Sequence, residues 1–157
     1  MAVWTAMDDL TAGDLVKEAD MDAIRGNIEY LHEPNTATIA HDNSADYSTT
    51  SVSYVDVDAT NVTLALTTYG GPILIMATFS AANTTLAWGF QFDVGGVAVG
   101  TQTALSGDSD TNLVTLVAYY KPAAGAQTIK LQYKADGTNA LAIRCSGELI
   151  NMSAIEI

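Results

Sequence analysis

The chain has 157 residues, enough for one domain with a real core plus a small appendage. Apolar residues make up 48%, which excludes disorder over most of the length, and only 15% are charged, so polar surface has to come from Thr, Ser, Asn and Gln. Eighteen acids against six bases give a formal charge of −12, which excludes a nucleic-acid partner and an anionic membrane surface because both repel it.

The first 33 residues form one unit. Met1-Ala-Val-Trp-Thr-Ala-Met-Asp-Asp has no basic stretch followed by a long apolar run, so it is not read as a signal peptide, and nothing later reaches the length of a membrane span. Trp4 and Met7 are the apolar residues of a polar lead-in, and Thr11-Ala-Gly-Asp14 is a turn signal. A helix follows from about Glu18 to Leu31, with Met21, Ile24, Ile28 and Leu31 on one narrow apolar stripe. Asp20 and Asp22 complement the helix dipole in its first turn, and Glu33-Pro34 ends it. So narrow a stripe needs cover from the rest of the chain, from other copies or from a host surface. The eight acids before Pro34 read either as a solvated face or as a docking surface for a basic partner.

Residues 34–50 read as a polar linker or extended arm that can hold a short strand at Thr38–His41. The β domain is placed at 51–157. Ser51–Asp58 and Val62–Thr68 alternate, and Gly70-Gly-Pro72 turns the chain. Ile73–Phe79 is apolar on both faces. Leu86, Trp88, Phe90, Phe92 and Val94 alternate strictly with smaller or polar residues. Gly95-Gly96 is a hairpin signal before Val97 and Val99. Residues 106–112 form a loop, followed by strands at Leu113–Tyr120, Thr128–Lys134, Leu141–Cys145 and Leu149–Ile157. About nine short strands at regular turn spacing predict a mainly β fold, an antiparallel sandwich preceded by a short helix. The two-faced strand needs a cover on its outer side, either the helix or another subunit.

The equipment for catalysis is missing from the sequence. His32 and His41 stand in no catalytic spacing, and no nucleophile-elbow, zinc-protease or phosphate-loop motif occurs. Cys145 is the single cysteine and reads as a small buried hydrophobe. Asp108 and Asp110 have the oxygen spacing of a calcium loop but lack its glycine and its bidentate glutamate, so a solvated loop is preferred. No enzyme activity, cofactor or metal is expected. Tyr47, Tyr54, Tyr69 and Tyr119 read either as strand filler or as platforms for sugar rings.

The run Ala12-Gly-Asp-Leu-Val-Lys-Glu-Ala-Asp-Met-Asp-Ala-Ile-Arg-Gly-Asn27-Ile-Glu-Tyr-Leu31, preceded by Trp4, resembles the N-terminal module of many tailed-phage virion proteins. Met21, Ile24, Arg25, Asn27 and Leu31 match its pattern, whereas Lys17 replaces a usual Thr cap, Asp22 a usual Asn and Gly26 a common acid. The remainder, with Tyr47-Ser-Thr-Thr-Ser-Val-Ser-Tyr-Val-Asp-Val57, Gly70-Gly-Pro-Ile-Leu-Ile-Met76 and a terminal apolar-acid-apolar strand, looks like the β-sandwich that follows such modules. The resemblance implies a jelly roll similar to the tumour-necrosis-factor-like trimers, with the terminal strand near the threefold axis. It implies a virion protein assembled in the host cytoplasm. A capsid decoration protein or short spike is favoured over a long tail fibre, and a tail-tip receptor- or carbohydrate-binding protein that meets a host-surface glycan is the alternative. Trp4, Met7, Met21, Ile24, Ile28 and Leu31 are then the expected contacts with other virion proteins. Ile73, Leu74, Ile75, Met76, Ile155 and Ile157 are the expected contacts of a homotrimer.

Overall fold

The computed structural model describes residues 18–32, 34–83, 88–104 and 111–157. The chain falls into two units, Met1–Pro34 and Asn35–Ile157. In the first, helix α1 spans Glu18–His32. Arg25 Nη2 donates to Asp22 Oδ1 at 2.8 Å one turn back, an exposed pair that adds a few tenths of a kcal/mol to the helix. Met21 and Ile28 are 56% and 51% exposed and Ile24 is half-buried, so the apolar stripe is largely open. Trp4 and Met7, and the side chain of Leu31, lie outside the described residues.

The second unit is an antiparallel sandwich of eleven strands among the described residues: β1 Thr36–His41, β2 Tyr47–Thr49, β3 Val55–Asp56, β4 Thr63–Thr68, β5 Ile73–Asn83, β6 Trp88–Val94, β7 Val97–Ala104, β8 Thr111–Tyr120, β9 Gly125–Lys134, β10 Leu141–Arg144 and β11 Ile150–Glu156. It begins at Asn35 rather than at residue 51, which corrects the expected linker. Residues 34–50 contribute β1, paired along its length with β11, and β2, paired with β10.

Three strand pairs are single lines interrupted midway. β10 and β11 follow one another along one side of β5. β1 and β2 follow one another along the far side of β11 and β10, and β3 and β4 both lie along one side of β9. Taken as eight lines in chain order, the first sheet runs 1-8-3-6 and the second 2-7-4-5. That alternation between sheets is jelly-roll order, and it leaves the first line of the chain at an edge. The Gly95-Gly96 hairpin forms as expected, with φ of 59° and 89°, the left-handed conformation that only glycine adopts without strain.

The core lies between the sheets. Phe79, Phe90, Phe92, Leu64, Ile129, Leu131, Leu141, Ile143 and Ile150 are all essentially without exposed surface. Phe79 meets Phe90 edge-on at 4.7 Å between ring centroids, and Trp88 meets Phe90 at 5.1 Å. Ile73 and Ile75 also point inward and are 0% exposed, so these two belong to the core of a single chain and not to a subunit contact. The alternation of β5 then turns Leu74 and Met76 outward, Met76 being 42% exposed. Cys145 is fully buried, as its apolar setting requires.

Candidate functional site

The titratable groups gather where the interrupted lines meet. Asp46 ends the break between β1 and β2. Its Oδ1 accepts from the amides of Cys145 at 3.0 Å and Ser146 at 3.3 Å, and its Oδ2 accepts from Arg144. Those contacts, the Cys145 amide foremost, hold its carboxyl below the usual carboxylate range. Asp58 lies in the break between β3 and β4. Its Oδ1 accepts from the amides of Thr60 at 2.8 Å and Asn61 at 2.9 Å, and its Oδ2 from Asn61 Nδ2 at 3.0 Å and from the Tyr47 hydroxyl at 2.8 Å. These donors hold Asp58 well below the carboxylate range.

Tyr47 also lies 2.9 Å from His41 Nε2. Because its proton is committed to Asp58, the hydroxyl oxygen is left to accept from the imidazole. Burial, and then the Asp58 carboxylate, push the Tyr47 hydroxyl up to about 12. A histidine, a tyrosine and an aspartate in line could suggest acid–base chemistry, but Tyr47 keeps its proton and Asp58 keeps its charge across neutral pH. The cluster is a tie: Tyr47 and His41 belong to the first sheet and Asp58 to a break in the second. The Cys145 thiol is buried, pushed up by that burial and directed at the His41 carbonyl at 3.6 Å, so it is no nucleophile.

The two outward sheet faces differ sharply. On the second sheet, polar side chains bond one another across four strand lines. Thr101 Oγ1 donates to Gln91 Oε1 at 3.3 Å, Gln91 Nε2 to Gln132 Oε1 at 2.8 Å, Gln132 Nε2 to Asp56 Oδ1 at 2.8 Å, and Lys130 Nζ to Asp56 Oδ2 at 2.7 Å. Lys134 Nζ stands 4.9 Å above the Tyr54 ring. On the first sheet, the outward positions of β1, β5, β8 and β11 carry no charge at all. The register places Tyr119, Leu74 and Ile155 in one row across the sheet, and Val117, Met76, Ser153 and Thr38 in the next. Leu113, Val117, Tyr119 and Ile157 are 74%, 52%, 64% and 65% exposed. An open groove of about 390 Å³ crosses this face.

Four of the six residues expected in a trimer contact, Leu74, Met76, Ile155 and Ile157, therefore share this uncharged face. Leu113, Val117 and Tyr119 join them without having been singled out as contacts. Their signal was available, because Leu113–Tyr120 is apolar in both phases of its alternation. Of the four tyrosines considered as sugar platforms, Tyr47 is tied to Asp58, Tyr54 lies beneath Lys134, Tyr69 is half-buried and Tyr119 is strongly exposed. Asp108 and Asp110 lie outside the described residues. Among the described residues no group of three or more His, Cys, Asp or Glu side chains is placed to hold a metal ion, and no helix is long and apolar enough to cross a membrane.

No protein-family model matches the chain, and no curated protein matches it. Among solved structures it is similar to the Eiger TNF from S. frugiperda, at 10% identity over 80% of this chain and 94% of that one, with a TM-score of 0.49. It is similar to the PRD1 vertex protein P5, at 13% identity over 78% of this chain and 96% of that one, TM-score 0.47. The globular domain of the zebrafish complement 1qA protein is similar at 10% identity over 80% and 98%, TM-score 0.49. The jelly-roll assignment rests on the strand order itself.

Proposed function

We propose that the chain is a non-enzymatic virion structural protein, a homotrimeric capsid decoration protein or short spike. It joins its copies through the outward face of the first sheet and docks on the particle through residues 1–33. The observation that carries self-association is that the outward positions of β1, β5, β8 and β11 carry no charge on a chain of −12, Arg144 of β10 standing apart on that sheet in an ion pair with Asp46. Copies of so acidic a protein repel one another, and this face lets them meet without setting carboxylates opposite each other. Apolar burial, at about 25 cal/mol per Å², supplies the binding from which association costs are subtracted.

The number of copies is supported by the resemblance of the β unit to tumour-necrosis-factor-like trimers. The virion context is supported by the resemblance of Trp4 and residues 12–31 to tailed-phage modules. The open stripe of Met21 and Ile28 suits a helix face that a partner's groove covers. The solution mass of the whole chain, measured by light scattering over a range of concentrations, tests the reading. A value near three times 16.5 kDa is expected, and a mass that stays at 16.5 kDa refutes self-association. A second reading, a tail-tip carbohydrate-binding protein, is favoured by the 64% exposure of Tyr119 on the face that carries the groove. Specific glycan binding by the whole chain, lost on Tyr119→Ala, decides for it.

A further inference from the structure

The groove on the first sheet is not lined by the most apolar part of that face. Its walls include Thr38, Met76, Thr78, Thr115, Asn151 and Ser153. The register explains the grouping: Thr115, Thr78 and Asn151 form one row across β8, β5 and β11, and Ser153 and Thr38 stand in the row beside it. Among the described residues none of these five polar side chains makes a hydrogen bond, and none is charged. On the opposite sheet the comparable polar side chains are spent on one another, from Thr101 through Gln91 and Gln132 to Asp56 and Lys130. A bonded polar network thus crosses the second sheet, whereas the polar side chains that line the groove of the first form none.

We infer that the groove is the register-setting part of a contact between copies, in which Thr38, Thr78, Thr115, Asn151 and Ser153 of one copy hydrogen-bond to uncharged polar groups of the next. The inference rests on the self-association proposed above and adds what makes it specific. Apolar rows such as Tyr119–Leu74–Ile155 are attracted to any apolar surface and tolerate sliding. A polar side chain buried by a copy in the wrong register loses water and gains no partner, at a cost of about 1–3 kcal/mol each. A few such groups in an apolar seam therefore select one arrangement, as a single buried polar residue selects register in helical assemblies.

A second copy is the occupant for two reasons. The face is the part of an acidic surface that a like-charged copy approaches without a carboxylate penalty. It also approaches the required area: four strands about 4.8 Å apart, of 6, 7, 10 and 11 residues at about 3.4 Å each, span roughly 550 Å², against about 800 Å² per partner in a standard interface.

The test is a triple variant, Thr78→Val with Thr115→Val and Asn151→Leu, which keeps shape and removes hydrogen bonding. It is compared with the natural chain by sedimentation velocity and native mass spectrometry over the same concentrations. Far-UV circular dichroism confirms folding, and Thr101→Val on the opposite sheet is the control. The natural chain and the control should each give one discrete mass. The triple variant should lose that single mass, either spreading over several assemblies or, while folded, falling to monomer. One unchanged mass with an unchanged dissociation constant overturns the inference while leaving self-association standing. A natural chain that is monomeric throughout overturns both, through the mass of the natural chain and not the behaviour of the variant. Binding of a neutral hexasaccharide to the natural chain, abolished in the triple variant with the mass unaltered, overturns it by assigning the groove to sugar.

Discussion

Glu156 offers the sharpest quantitative test of the fold. It is 7% exposed at the end of β11. Its Oε1 accepts from the amides of Tyr69 and Gly71, each at 2.8 Å, and its Oε2 accepts from Asn35 Nδ2 at 2.8 Å. The Glu156 amide donates to the Asn35 carbonyl at 2.9 Å, and the Ile157 amide to the Pro72 carbonyl at 2.9 Å. One carboxylate thus fastens the entry to β1, the turn between β4 and β5, and the last strand. Glu156→Ala removes three hydrogen bonds to a charged acceptor, each worth about 1.5–3 kcal/mol, and leaves the turn amides without their partner. Tyr69 and Gly71 are only half-buried, so water replaces part of the loss, and the net cost should be roughly 3 kcal/mol. Glu156→Gln keeps an acceptor for the turn, and Asn35 has only to rotate its amide, so the cost should be about 1 kcal/mol. Urea unfolding followed by circular dichroism measures both, at several protein concentrations because association adds to apparent stability. For a unit of this size the alanine variant should melt roughly 10 °C lower. A loss below about 1 kcal/mol for alanine, or equal losses for alanine and glutamine, would show that the carboxylate is a bystander.

Val117→Asp should separate the copies. The residue is 52% exposed in one chain, so covering it is worth roughly 1.5 kcal/mol, and an unpaired carboxylate in the seam adds several more, weakening association more than about a hundredfold; an unchanged mass by light scattering would contradict the assigned face. Ile24→Asp should abolish attachment to the particle while the β unit keeps its circular dichroism spectrum, and normal attachment would remove α1 from the docking surface. Acid should loosen the edge of the sandwich. The carboxyls of Asp46 and Asp58 are held below their unfolded value by the hydrogen bonds they accept, so their contribution is present above about pH 4 and is lost as pH falls through the folded values. The melting temperature should therefore fall as pH drops below about 4, and less steeply in Asp58→Asn; parallel profiles would show that Asp58 does not carry the acid sensitivity.

The sandwich was legible where a strand buries one face deeply. Leu64 and Leu66, Phe90 to Val94, and Ile129 to Tyr133 alternate in the sequence and are buried in that phase. The edge line was legible only in part: the strand expected at Thr38–His41 is the larger part of β1, but its place in the sandwich was not. β1 turns Ala37 and Ile39 partly inward among threonines, too little apolar signal to tell a sheet edge from a polar arm, and its partner β11 lies more than a hundred positions away, from His41 with Ile150 to Thr36 with Ile155. Residues 51–54 failed in the opposite sense. They alternate like a strand, but the Ser51 hydroxyl donates to the Ser53 carbonyl at 2.7 Å and accepts from the Ser53 amide at 3.1 Å, a local turn that competes with pairing. Val52 is consequently left 65% exposed. The apolar character of Ile73–Phe79 on both faces revealed that something covers this strand's outer side, but assigning Ile73 and Ile75 to the core required the register with β8 and β11. Local turns such as Asp136 with Thr138 and Asn139 follow a short-range pattern, whereas Asp46 reaches Cys145 across 99 positions and has no such signature.

The acidity of the β unit has a structural origin that constrains how copies meet. Asp46, Asp56, Asp58, Asp93, Asp136 and Glu156 all accept hydrogen bonds, mostly from amides at turns and breaks in strand lines. A jelly roll with three interrupted lines has many free amides to satisfy, and carboxylates satisfy them at the cost of net negative charge. That charge makes most approaches between copies unfavourable. Two of the interrupted lines, β1/β2 and β11/β10, belong to the first sheet, and Asp46 caps the break there, but along β8, β5, β11 and β1 themselves the ladders run unbroken and the outward positions are Thr, Ser, Asn and apolar residues. The carboxylates that cap turns and breaks thus stand away from the outward positions of β8, β5, β11 and β1, and the proposed contact between copies would use the stretch of this sheet where, among the described residues, no capping acid projects.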